Sequence, residues 1–127
     1  MRLINVVVLT FGALGCASVT QPDVLPGIPA GTLQRDLNAE QRLILCRHFQ
    51  DAMGQQAEVP GVLRCANGHD FGWRGITQCV ADFEDLPPDC PTFAASEIAF
   101  QNNLRDNCLS PDFDPNNYVG ERGCAGP

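Results

Sequence analysis

The sequence predicts a small, mainly α domain of about three helices with one short β-hairpin, stapled by disulfides. Three observations predict it. Apolar residues recur at helical spacing in segments bounded by capping residues. Asn67-Gly68 stands between two short segments of strand character. Apart from Cys16, six cysteines are spread over the chain at Cys46, Cys65, Cys79, Cys90, Cys108 and Cys124.

The first helix is expected over 39–53. Asn38 is a good N-cap, and Gln41 three residues on completes a capping-box pattern. Leu45, Phe49, Ala52 and Met53 follow at helical spacing with Cys46 beside them, and Gly54 suits the C-cap. Pro60-Gly61 then breaks the chain. Val62 to Cys65 reads as a short strand and His69 to Ile76 as its irregular return, weakened by Gly72 and Gly75. Between them Asn67 and Gly68 both tolerate positive φ. Thr77 is the expected N-cap of a short second helix reaching about Leu86 and stopped by Pro87-Pro88. Thr92 is the expected cap of a third helix running to about Asn107, with Phe93, Phe100, Leu104 and Cys108 on one face. After Cys108 no period appears, so the tail is ordered only if something such as Cys124 pins it.

A domain this small buries roughly 60–65% of its unfolded surface, so covalent staples matter. Six cysteines allow about 15 pairings. Cys90 with Cys108 is disfavoured, because a helix between them would span roughly 24 Å while bridged Cα atoms lie within about 7 Å. Structural zinc is disfavoured too: there is no Cys-x-x-Cys pair, and spacings of 19, 14, 11, 18 and 16 do not suit a zinc finger.

The N-terminus says where such a chain belongs. Residues 1–15 carry Arg2 and an apolar stretch from Leu3 to Leu14, too short to span a bilayer, which is the pattern of a secretory signal. Ala13-Leu14-Gly15-Cys16 resembles a bacterial lipobox, with Ala13 where Leu is more usual. The resemblance implies that Cys16 receives a diacylglyceryl group and that the chain is cut before it. Cleavage after Ala17 is the alternative. Either outcome leaves six cysteines, an even number suited to three disulfides in an oxidising compartment. Residues 16–35 are then expected to be a lipidated Cys and a Pro/Gly-rich tether, holding a domain of 36–127 off the membrane. Two or more acyl chains anchor stably where one does not.

All eight cations are Arg, against 15 acids, giving a net charge of −7. That charge speaks against a nucleic-acid partner, which would need a basic footprint. The expected attachment is to membrane through the N-terminal lipid, in the cell envelope facing the periplasm or exterior, with the protein partner unspecified. Lipobox, tether and evenly spread cysteines resemble small Cys-rich lipoproteins of high-GC Gram-negative bacteria such as the myxobacteria. This resemblance implies location and architecture, not chemistry.

The segment with the most chemical content is His69-Asp70-Phe71-Gly72-Trp73-Arg74. It resembles the active-site motif of secreted bacterial and fungal phospholipases A2, Cys-x-x-His-Asp-Phe-Gly-Tyr-Arg. Glu97, Phe100, Leu104 and Cys108 similarly follow that family's Asp-x-x-Phe-x-x-x-Leu-x-x-x-Cys, with Glu for Asp. The resemblance implies His69 as general base, Asp70 as a calcium ligand and Glu97 as the carboxylate orienting His69. A His with an ordinary pKa near about 6.5 can take a proton from water at neutral pH. The competing reading is an exposed hairpin with Phe71 and Trp73 on one face and His69 solvated, so that no catalytic residue is expected.

Asp112, Asp114 and Asn116 open like a calcium loop, but position six is Asn117 and position twelve is Gly123. Asp and Asn beside Pro are also ordinary turn residues. No cofactor is expected, with calcium the one candidate. His48 falls at the edge of the first helix's apolar face. The serines lack a Gly-x-Ser-x-Gly context.

Overall fold

The computed structural model describes residues 22–114 and residue 124. Cys16 and Asn116 lie outside the described residues. The elements in order are β1 (Asp23–Leu25), β2 (Ile28–Pro29), a 3-10 turn (Gln34–Asp36), α1 (Ala39–Met53), β3 (Gly61–Arg64), β4 (Asp70–Trp73), α2 (Ile76–Glu84) and α3 (Ala94–Asn107). This is the mainly helical, disulfide-stapled class that the sequence predicts. None of the described helices is long and apolar enough to cross a membrane.

Helix α1 forms as its caps dictate. Gln41 N–H donates to Asn38 Oδ1 at 2.8 Å, and Asn38 N–H donates back to Gln41 Oε1 at 3.0 Å. Gly54 closes the helix at φ +65°, a left-handed conformation that suits a residue without Cβ. Leu45, Cys46, Ala52 and Met53 are buried, facing the other two helices.

The expected tether is in part folded. Gly27, at φ +93°, turns β1 back onto β2, and its N–H is bound by the Asp23 carboxylate at 3.0 Å. The turn docks on α1, with Gln41 Nε2 donating to Gly27 O at 3.0 Å and Ile28 wholly buried in the core. Residues 32–34 then pair with 92–94 through Gln34 N–H to Thr92 O and Ala94 N–H to Thr32 O. Residues 23–34 are thus packed onto the helices and the segment before α3. Proline and glycine rule out a helix there but not docking by hydrogen bonds and a single buried Ile.

The β3–β4 hairpin forms, with a different turn from the one expected. Cys65 N–H bonds His69 O at 2.8 Å, and Gly68 N–H bonds Cys65 O at 3.0 Å. Only Gly68 has positive φ, at +89°; Asn67 does not. This is a three-residue loop with a glycine bulge, not a two-residue turn with both positions left-handed. Asn67 serves by its side chain instead, with Oδ1 accepting from His69 N–H and Nδ2 donating to Phe113 O.

Helix α2 starts one residue before Thr77, with Gly75 as N-cap at φ +99°. Its cap is remote: Glu58 accepts from Thr77 N–H at 3.3 Å and from Thr77 Oγ1 at 2.9 Å. The helix ends at Glu84, two residues short of Leu86. Helix α3 has Phe93, not Thr92, as N-cap and no side-chain cap. Phe93 is outside the helix and 47% exposed, so the buried face runs through Ala94, Glu97, Ile98, Phe100, Gln101, Leu104 and Cys108.

Three disulfides close the structure. Cys46–Cys79 joins α1 to α2, Cys65–Cys108 joins the hairpin tip to the end of α3, and Cys90–Cys124 ties Cys124 to the α2–α3 loop.

Candidate functional site

The motif His69 to Arg74 spans the far side of the hairpin loop and all of β4. Strand alternation sends its residues to two faces. Phe71 and Trp73 point inward: Trp73 is buried with Nε1 donating to Gln56 O at 2.8 Å, and its ring meets Phe49 edge-on. Asp70, Gly72 and Arg74 lie on the exposed side.

Asp70 sits opposite Arg64 in the ladder, and the two make a bidentate pair, Nε to Oδ1 at 2.8 Å and Nη2 to Oδ2 at 2.9 Å. The hydrogen bonds from Arg64 hold the Asp70 carboxyl below the usual carboxylate range. Both carboxylate oxygens of the residue that the phospholipase resemblance makes a calcium ligand are thus used within the hairpin.

His69 is exposed at the loop, and no hydrogen bond joins its ring to Glu97 or any other described carboxylate. Glu97 is 1% exposed on the inner face of α3. It lies in the helix's first turn, where the N-terminal end of the macrodipole favours a negative group. The structure brings His69 and Asp70 into one loop-and-strand segment and leaves Glu97 in the interior. General-base chemistry needs the base and its orienting carboxylate within about 3.2 Å.

Asp112 and Asp114 are exposed after α3, and Asp112 N–H bonds Ser110 Oγ at 3.3 Å in a turn. No cluster of three metal-binding side chains occurs among the described residues. His48 bridges two helices: its Nε2 lies 2.7 Å from Asn102 Oδ1 on α3.

Sequence reasoning passed over two buried polar residues besides Glu97. Gln34 and Gln101 are both fully buried. Gln34 Nε2 donates to Phe93 O at 3.4 Å, while Gln34 Oε1 and both amide atoms of Gln101 have no hydrogen-bond partner among the described residues. Gln101 follows Glu97 by one helical turn, a spacing that could have flagged the pair. Gln34 gave no such signal within a segment read as tether.

No protein-family model, no curated protein and no solved structure matches the chain.

Proposed function

We propose that this chain is a lipid-anchored envelope protein whose disulfide-stapled domain works by binding or by structural presence rather than by catalysis. The observation that carries the non-catalytic reading is the separation of the motif's parts. His69 is solvated, Asp70 is bound at both oxygens by Arg64, and Glu97 is interior. The anchor rests on the sequence, an apolar run of signal length ending in Gly15-Cys16. Three disulfides accord with export to an oxidising compartment. The acidic body would be repelled by anionic head groups, so attachment falls to the lipid.

The intact mass of the mature protein tests the anchor. A diacylglyceryl-modified Cys16 is expected, and Cys16→Ser should release the protein from membranes. A mature N-terminus at Ser18 without lipid overturns it. Phospholipid vesicles with calcium test the second half: no fatty-acid release is expected from the protein or from His69→Ala. Calcium-dependent release abolished by His69→Ala would make the domain a lipid hydrolase.

A further inference from the structure

The β3–β4 hairpin leaves one strand edge open. The bond between Cys65 and His69 fixes the ladder's phase: the pairs 63–71 and 61–73 exchange hydrogen bonds, and the pairs 64–70 and 62–72 do not. The backbone groups of Val62 and Arg64 therefore point away from the hairpin on one edge, and those of Asp70 and Gly72 on the other. The β3 edge is blunted. Pro60, in the same phase as Val62 and Arg64, has no N–H to offer. The β4 edge is not. Among the described residues no further strand pairs with it, and Asp70, Gly72 and Arg74 are exposed.

We propose that the β4 edge docks a second copy of this chain, the two strands pairing antiparallel about Gly72 to make a four-stranded sheet. The charge pattern selects that occupant. Asp70 and Arg74 stand two residues to either side of Gly72 on the same exposed face, with side chains 44% and 66% exposed. A two-fold axis at Gly72 sets Asp70 of each copy opposite Arg74 of the other, so the surface is complementary to itself. Arg64 already binds Asp70, and Asp82 binds Arg74 at 2.6 Å. The joined face would carry charges of alternating sign from one copy through to the next. Main-chain bonds supply attraction, as in strand addition generally.

An edge this short buries well under about 1,000 Å², so the association is weak and belongs at high or membrane-confined concentration. Amide exchange of the oxidised protein should be followed at about 20 μM and about 1 mM. At a Kd near about 0.3 mM, the Asp70, Gly72 and Arg74 amides should slow about threefold at the higher concentration, while those of Val62 and Arg64 stay unchanged. Exchange independent of concentration, or slowing on the β3 edge instead, overturns the proposal. Charge reversal tests it separately by sedimentation. Asp70→Arg alone and Arg74→Asp alone should each remain monomeric, because like charges then meet across the axis. Their equimolar mixture should associate, because opposite charges meet at both positions. Any strain that either change places on its own hairpin is the same alone and mixed. A mixture that stays monomeric where the unmodified protein associates overturns the assignment, and should either variant fail to fold, the exchange measurement decides.

Discussion

Phe71 on β4 and Phe100 on α3 meet edge to face, their ring centroids 5.8 Å apart and their planes at 61°. Phe113 closes on the same Phe71 ring at 6.1 Å. This contact explains why a two-stranded hairpin, marginal by itself, is held in the fold. Its inward face packs on α3, and the Cys65–Cys108 bridge ties its tip to that helix.

Phe100→Ala is expected to cost about 3–5 kcal/mol, because Phe100 is wholly buried and its loss leaves a cavity under the hairpin. Val62→Ala, on the solvent face of the same hairpin, should change stability by about 0.5 kcal/mol or less. Guanidinium unfolding of the two variants checks the contrast.

Each disulfide closes a similar length of chain, with sequence separations of 33, 43 and 34. In the chain-entropy account each contributes about 4 kcal/mol. Replacing Cys46 and Cys79 together by Ala should lower unfolding free energy by about 2–5 kcal/mol. Thiol titration of the denatured, unreduced protein should find none of the six cysteines free. Two or more reactive thiols would count against the staples.

Legibility of the sequence followed the distance over which each element is fixed. Helix α1 was readable to the residue, because Asn38, Gln41 and Gly54 settle its ends locally. Helix α2 was misread at its start, because the group that caps it, Glu58, lies 19 residues before Thr77. Phe93 fitted the α3 face by spacing, yet it pairs with Leu33 as an isolated bridge and stays outside the helix. Residues 23–29 carry no period at all; their place comes from Ile28 entering a core built by α1 and other distant segments. The motif around His69 was visible in sequence, and its hairpin context was signalled by Asn67-Gly68. The burial of Glu97, Gln34 and Gln101 was not, since it depends on how segments distant in sequence pack together.

The Arg64–Asp70 pair gives a pH signature. Its Asp has a lowered pKa in the folded state, so the pair's stabilisation is present above the unfolded carboxyl pKa of about 3.9 and is lost as pH falls through the folded value. Arg64→Ala should therefore be slightly less stable than the unmodified protein at neutral pH, with the gap closing towards about pH 2. The gap stays small because the pair is exposed and screened. Urea unfolding at both pH values measures it.

Glu58 and Thr77 offer the sharpest test of how α2 begins. The first turn of a helix has N–H groups without intrahelical partners, and Gly75, the N-cap, has no side chain to bind them. Glu58 does so from outside, taking Thr77 N–H with one oxygen and Thr77 Oγ1 with the other. Glu58→Ala removes both bonds and should cost about 0.5–2 kcal/mol, the range of a lost N-cap. Thr77→Val removes only the hydroxyl bond and should cost about 0.5–1.5 kcal/mol. Since the hydroxyl bond is common to both changes, their combination should cost less than the sum of the two. A double-mutant cycle by denaturant unfolding reads that shortfall directly. Strict additivity would mean that the bond from the Thr77 hydroxyl to Glu58 contributes nothing to holding the start of α2.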